Sequence, residues 1–311
     1  MIYNNVLEAI GNTPMIRLNK MTNKNDAEVL VKFEGVSIGG SIKTRTAYGM
    51  IREAEQRGEI QPDSVIVEVT SGNQGIGLAL VGAVRGYKTI IIMPDSVSEE
   101  RGKLIKAYGA EVILVKDEGD IGKCIEECMQ TLHRLKSENP KVFTPMQFEN
   151  PDNPAIHYRE TGAEILQQVA KPIHGFCAGI GTGGTISGVG GHIREKYPDV
   201  EIWALEPEKS AALSGGKIGT HMQMGIGDGL IPDNLNKKIY DHIEIVTDEE
   251  AFQAAKDLAR LEGLMCGISS GTNVAAALKL AKKLGPGKTV VTLLPDTGER
   301  YFSTPLFDFT D

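Results

Sequence analysis

Lys43 stands in the stretch "EGVSIGGSIKTRTA", residues 34–47, just behind two glycines and a serine. A lysine so placed either meets a phosphate or works as an amine. The P-loop pattern G-x-x-x-x-G-K-[ST] fails here. Gly35 and Gly40 keep its glycine spacing, but Ser41 and Ile42 push the lysine out of position. Ser41 is suited to cap the following helix, which puts Lys43 in the first helical turn. A cation there is opposed by the helix dipole, and the neutral amine is favoured. A neutral lysine attacks carbonyls and forms Schiff bases; a plain solvated lysine is the other reading.

Three further loops carry glycines or small polar residues at positions expected to follow a strand. "TSGNQG", residues 70–75, offers Thr70, Ser71, Asn73, Gln74 and the backbone of Gly72 at a helix start. That is either an anion site or a capped turn. "GIGTGGTISG", residues 179–188, lets Gly181, Thr182, Gly183, Gly184 and Thr185 wrap an anion with N–H groups and hydroxyls. The same string fits G-x-G-x-x-G through Gly179, Gly181 and Gly184, with Glu206 as the ribose-binding acid, so a dinucleotide is a second reading. "GISSGTN", residues 267–273, places Ser269 and Ser270 before a helix and on its own reads as an N-cap pair.

The elements that must position these loops alternate. Apolar strand runs are expected at residues 28–34, 64–69, 88–94, 110–115, 174–180, 201–207 and 288–295. Helices are expected at 41–58, 73–86, 98–109, from about 185, and at 249–262 and 272–284. Continuous apolar strands alternating with helices predict an α/β fold with mostly parallel sheets covered on both faces, one before about residue 145 and one after. Ligands in such sheets bind at the carboxyl ends of strands.

Composition sets the outer bounds. The 311 residues are 41% hydrophobic and 24% charged, with a net charge of −8. This is a soluble balance, and the acidity speaks against nucleic acid. No apolar run reaches membrane-span length, and the N-terminus lacks a secretory pattern, so a cytoplasmic protein is expected. Of the four cysteines, Cys124 and Cys128 lie near His133, but no second ligand pair follows at zinc spacing. Cys177 and Cys266 read as buried small residues.

Taken together the loops resemble the pyridoxal-phosphate enzymes of the cysteine synthase (O-acetylserine sulfhydrylase) and cystathionine β-synthase family, of the tryptophan synthase β-like fold type II. The matching strings run nearly end to end: "IGNTPMIRL", "GGSIKTR", "TSGNQGIGLA", "QFENPDNPAIHY", "GTGGTISG", "LEP", "GIGDGLIP", "GISSGTN" and "LLPDTGERY". The resemblance implies two domains, each a mostly parallel twisted sheet flanked by helices, with pyridoxal 5'-phosphate in the cleft between them. Residues 35–145 would be a smaller, mobile substrate-side domain, and 1–34 plus 146–311 a larger phosphate-binding one. It implies Lys43 as the cofactor-bearing lysine in an internal aldimine and the base for the substrate's α-proton. The loop of Gly181, Thr182, Gly183, Gly184 and Thr185 would hold the cofactor phosphate, Asn73 the ring hydroxyl and Ser269 the pyridine nitrogen. Thr70, Ser71, Gly72, Asn73, Gln74 and Gln147 would receive the carboxylate of a small amino-acid substrate. A neutral serine at the pyridine nitrogen favours rapid β-elimination to an aminoacrylate over a long-lived carbanion. A homodimer is implied, as is entry of a partner's C-terminal peptide into the active-site cleft.

Four departures from the family's pattern bear on the reaction. Ser37 and Ile38 stand where the family has Asn-Pro, Thr44 where it has Asp, and Gln74 where it has Thr. In "GIGDGLIP", Asp228 replaces a typical alanine in the loop that, in the family, borders the substrate's side-chain end. Asp228 is either a solvated loop carboxylate or a general base at the β-carbon. As a base it repels hydrosulfide but activates water. The favoured reaction is therefore cysteine plus water giving serine plus hydrogen sulfide. Ordinary cysteine synthesis from O-acetylserine and sulfide is its rival. Other thiol or amine nucleophiles, or a non-catalytic binding role, stand behind both. No regulatory or haem-binding extension is read beyond "GERY", which argues against a full cystathionine β-synthase.

Overall fold

Most of the apolar runs fold as strands buried on both sides, while the run at residues 110–115, at a sheet edge, is half-exposed. The computed structural model describes residues 2–70, 72–119 and 121–308. Its strands are β1 Met15–Arg17, β2 Glu28–Phe33, β3 Val65–Val69, β4 Lys88–Pro94, β5 Glu111–Val115, β6 Val142–Phe143, β7 Gly175–Gly179, β8 Glu201–Pro207, β9 His242–Val246 and β10 Thr289–Leu294. The helices are α1 Lys43–Arg57, α2 Asn73–Arg85, α3 Glu99–Ala107, α4 Ile121–Glu138, α5 Asp152–Ile156, α6 Ala163–Val169, α7 Gly184–Lys196, α8 Asp248–Glu262 and α9 Ile268–Leu284. A π-helical turn, His157–Gly162, joins α5 to α6.

The chain divides into two compact units. Unit 1 comprises Met1–Ile10 and Ser37–Asp152, and unit 2 comprises Gly11–Val36 and Asn153–Asp311. Unit 1 holds a four-stranded sheet in the order β5-β4-β3-β6, parallel throughout. Along β3 and β4 the side chains alternate between two cores. Ile66, Ile91 and Met93 pack with Ala47, Ile51, Leu78 and Ile105 of α1, α2 and α3. Val67, Ile90 and Ile92 pack with Cys124, Cys128 and Leu132 of α4. The two cysteines are thus core residues, whereas His133 is exposed. Burial pushes the Cys128 thiol up to about 12, so it stays protonated at neutral pH.

Unit 2 holds a six-stranded sheet in the order β1-β2-β10-β7-β8-β9, parallel except for the β1–β2 pair. β2, from early in the chain, pairs with β10 near its end, Glu28 opposite Thr289 and Phe33 opposite Leu294. A sheet division near residue 145 therefore misplaces β2, because a periodic apolar pattern states that a strand is buried and not which strand lies beside it. β1 and β6 are too short to show a period. Val29, Val31, Leu205, Val290 and Leu294 form the core with Ala255, Leu258, Val274 and Leu280. Cys177 and Cys266 belong to it, and burial pushes both thiols up to about 12.

Asn273 ties three elements of this unit at one point. Its Oδ1 accepts the Gly179 N–H at 2.8 Å, and its Nδ2 donates to the Leu293 carbonyl at 2.9 Å. Asn273→Ala leaves both backbone groups unpaired in the core, with an expected loss of about 2–4 kcal/mol of stability by urea unfolding. An unchanged midpoint would show that solvent reaches them.

Candidate active site

The glycine pair before Lys43 makes a turn, not a phosphate cup. Gly39 and Gly40 have φ of 79° and 69°, and the Gly40 N–H donates to the Ser37 carbonyl at 2.8 Å. The chain leaves this turn directly into α1, whose first residue is Lys43, half-buried. The cap differs from expectation. The N-cap position is Ile42, with helical φ and no side-chain cap bond, and the buried Ser41 Oγ has no hydrogen-bond partner. The Ser41 and Ile42 carbonyls instead accept the Thr44 and Arg45 N–H groups at 3.2 and 3.1 Å, a tight opening turn that needs no side chain. α2 lies close against this start: a Cβ at Gly77 would come within 3.0 Å of the Lys43 carbonyl oxygen.

The asparagine loop leaves β3 at its carboxyl end, also in unit 1. The Gly72 N–H donates to Thr70 Oγ1 at 3.3 Å, and Gly72, with φ of 143°, is the N-cap of α2, so Asn73 opens that helix. A Cβ on Gly72 would overlap the side chain of Arg101, itself buried at 2% exposure. The methylene stem of a buried arginine therefore packs against the backbone of the proposed carboxylate seat. Gln74 is buried, and neither of its amide atoms has a hydrogen-bond partner. A buried amide without protein partners fits a position that meets a polar ligand. Ser71 lies outside the described residues. Gln147 is buried, and its N–H donates to Glu68 Oε1 at 3.1 Å.

In unit 2, β7 runs into the loop at 180–183, and α7 starts at Gly184. Gly183 has φ of 74°, which only a glycine adopts cheaply. Thr182 Oγ1 accepts from Asn153 Nδ2 at 2.9 Å, and Thr185 Oγ1 lies 3.4 Å from His157 Nε2. The other His157 nitrogen is 3.0 Å from Thr161 Oγ1. Two hydroxyls held in place at the N-terminus of a thirteen-residue helix form a cup that could hold an anion. The dinucleotide alternative loses its acid. Both Glu206 carboxylate oxygens are taken by the Leu213 N–H at 2.5 Å and the Ser214 N–H at 3.0 Å.

The cup is backed by the loop that bears Asp228. A Cβ at Gly181 would stand 2.5 Å from the Gly225 carbonyl oxygen, and the Gly227 N–H donates to the Ile180 carbonyl at 2.8 Å. Gly225, Gly227 and Gly229 all have positive φ, so the loop turns at every second residue and leaves Asp228 between them, exposed. The Gly227 carbonyl is held by Ser210 Oγ at 2.8 Å and His221 Nε2 at 2.9 Å. Ser269 is buried in the first turn of α9, which is capped by Gly267, not by a serine side chain. Gly267 is required there, because a Cβ would collide with Asp296 and Tyr301.

These features fit a phosphorylated aldehyde cofactor: an anion cup at a helix N-terminus and a lysine at a helix start. Gly181→Ala drives a methyl into the Gly225 carbonyl, and a drop of about tenfold or more in cofactor affinity is expected by fluorescence titration. Unchanged affinity would remove the cup assignment. Asn153, His157, Arg101 and Glu68 were not singled out from the sequence. Glu68, an acid inside an apolar strand, carried a signal of its own, and Asn153 and His157 lie inside the matching string at 147–158.

A doubly-wound pair of sheets with glycine loops at strand ends defines the class, an α/β enzyme built around a phosphate-bearing group. The chain belongs to the pyridoxal-phosphate dependent enzyme family, whose model matches residues 6–296. A cysteine synthase of Staphylococcus aureus is 48% identical over 308 residues, covering 99% of this chain and 98% of that one. A hydrogen sulfide-producing enzyme from Fusobacterium nucleatum superimposes with a TM-score of 0.91 at 41% identity, covering 97% and 98% of the two chains. An aspartate-to-asparagine variant of another hydrogen sulfide-producing enzyme, in complex with an α-aminoacrylate intermediate, superimposes with a TM-score of 0.87 at 38% identity, covering 97% and 90%. The protein is thus a cysteine synthase-like enzyme dependent on pyridoxal phosphate.

Proposed function

We propose that this enzyme converts cysteine and water to serine and hydrogen sulfide. The observation that carries the reading is Asp228: a carboxylate, exposed on a three-glycine loop that packs against the phosphate cup. The bound cofactor supplies the electron sink that allows the β-substituent to leave. The protein's own groups do the rest. The 181–185 loop holds the phosphate, Asn73 the ring hydroxyl, and Ser269 a neutral contact at the pyridine nitrogen. Thr70, Ser71, Gly72, Asn73, Gln74 and Gln147 seat the substrate carboxylate. The Lys43 amine takes the α-proton and returns it at the end. The β-carbon–sulfur bond breaks, and hydrosulfide takes one proton from solvent to leave as hydrogen sulfide. Asp228 then takes a proton from a water whose oxygen bonds to the β-carbon and passes that proton to solvent, and serine is released. The enzyme works on free amino acids as a homodimer.

Similarity to two hydrogen sulfide-producing enzymes supports the reading. The rival, synthesis of cysteine from O-acetylserine and sulfide, is favoured by the Staphylococcus aureus relative. Turnover of cysteine in ¹⁸O-water tests the choice. The reading predicts serine with one labelled oxygen in its side chain, and unlabelled or absent serine would overturn it.

A further inference from the structure

We infer that Glu68 is a positioning residue that holds Gln147 in register with the 70–74 loop for binding of the substrate carboxylate. The inference rests on the reading that Gln147 and that loop form the carboxylate seat.

Glu68 lies on β3, two residues before Thr70, and is 3% exposed. Its two oxygens take two consecutive backbone donors: Oε2 accepts the Met146 N–H at 3.1 Å and Oε1 the Gln147 N–H at 3.1 Å. The turn so held is strained. Met146 has φ of 56°, one of three non-glycine residues with positive φ among those described. The rest of the turn folds on itself. The Met146 carbonyl accepts the Glu149 and Asn150 N–H groups at 3.0 and 2.9 Å, and Asn150 Nδ2 donates to the Pro145 carbonyl at 2.9 Å. One strand therefore carries both halves of the seat, the 70–74 loop at its end and Gln147 through the Glu68 fork.

The fork works fully only as a carboxylate, because protonation turns one acceptor oxygen into a donor. Burial pushes the Glu68 carboxyl up to about 7, against the two N–H bonds, and the Glu149 carboxylate adds to the rise. Its register neighbour on β4 is apolar Ile91, β6 brings Phe143 beside Ile66, and the charged group acting on it is Glu149. The sign follows. Above neutrality the fork is closed and the seat is set. As pH falls through about 7 the fork opens and amino-acid binding weakens.

The test is Glu68→Gln holoenzyme, with serine binding read from the cofactor absorbance. The expected dissociation constant is about tenfold higher than wild type at pH 8.5, and the ratio closes toward one at pH 5.5, where wild type has also lost its carboxylate. The turnover number on cysteine is expected to stay within about threefold. A ratio that is flat with pH, or a loss confined to turnover, would overturn the inference. Gln147→Ala runs in parallel. If it leaves serine binding unchanged, the carboxylate-seat reading has failed; if it weakens binding while Glu68→Gln does not, only the role of Glu68 has failed. In wild type, hydrogen-exchange protection of the peptide bearing Met146 and Gln147 should fall between pH 8 and pH 6. Constant protection contradicts the fork whatever the variants do.

Discussion

Lys43→Ala protein is expected to lose the covalent link to the cofactor and with it at least about 10³-fold in activity. Lys43 opens α1 directly after a turn made by Gly39 and Gly40, and is half-buried. An amine there is disfavoured as a cation by the helix N-terminus, which suits both attack on the cofactor aldehyde and removal of a proton. Alanine is the better helix former, so the fold should not suffer. The 181–185 cup belongs to the other unit and is untouched by the change. The expected product is a folded protein that still binds the phosphate group but holds no covalent adduct. Borohydride reduction followed by peptide mass analysis checks it. Wild type should carry the cofactor mass on the Lys43 peptide, and the variant nowhere. An adduct on another lysine would reassign the site.

Asp228→Asn separates the two half-reactions. The residue is exposed, so the isosteric change leaves packing intact. The amide can hold a water but cannot take its proton. Serine formation should fall by about 10²-fold, the usual worth of a positioned base. Release of the first equivalent of sulfide should persist, because the proposed mechanism gives the α-proton to Lys43 and not to Asp228. Rapid mixing with cysteine should therefore show a sulfide burst of about one per site followed by slow turnover, the signature of a stalled second half. Equal loss of burst and turnover would make Asp228 a structural residue of the loop.

How far the sequence reached can be seen in these residues. Seven of the ten described strands were legible because burial on two faces writes itself as apolar runs, as in residues 90–94 of β4, whereas β1, β6 and β9 went unseen. The glycine loops were legible because positive φ at Gly72 and Gly183 leaves few other choices of residue. Helix starts were less so. Ser41 and Ser269 look like caps, yet backbone turns and Gly267 take that place, since tertiary crowding by Asp296 and Tyr301 decided the latter. Partners distant in sequence were not legible at all. The pairing of β2 with β10, and the grip of Glu68 on Gln147, join residues that no local pattern connects. Asp228 was found only because the resemblance made an acid at that place unusual.

The most direct measurement is a product assay on the purified holoenzyme in two tubes, cysteine alone and O-acetylserine with sulfide. The account predicts serine and hydrogen sulfide in equal amounts from the first. Cysteine from the second tube with nothing from the first would contradict it, and would leave Asp228 outside the chemistry.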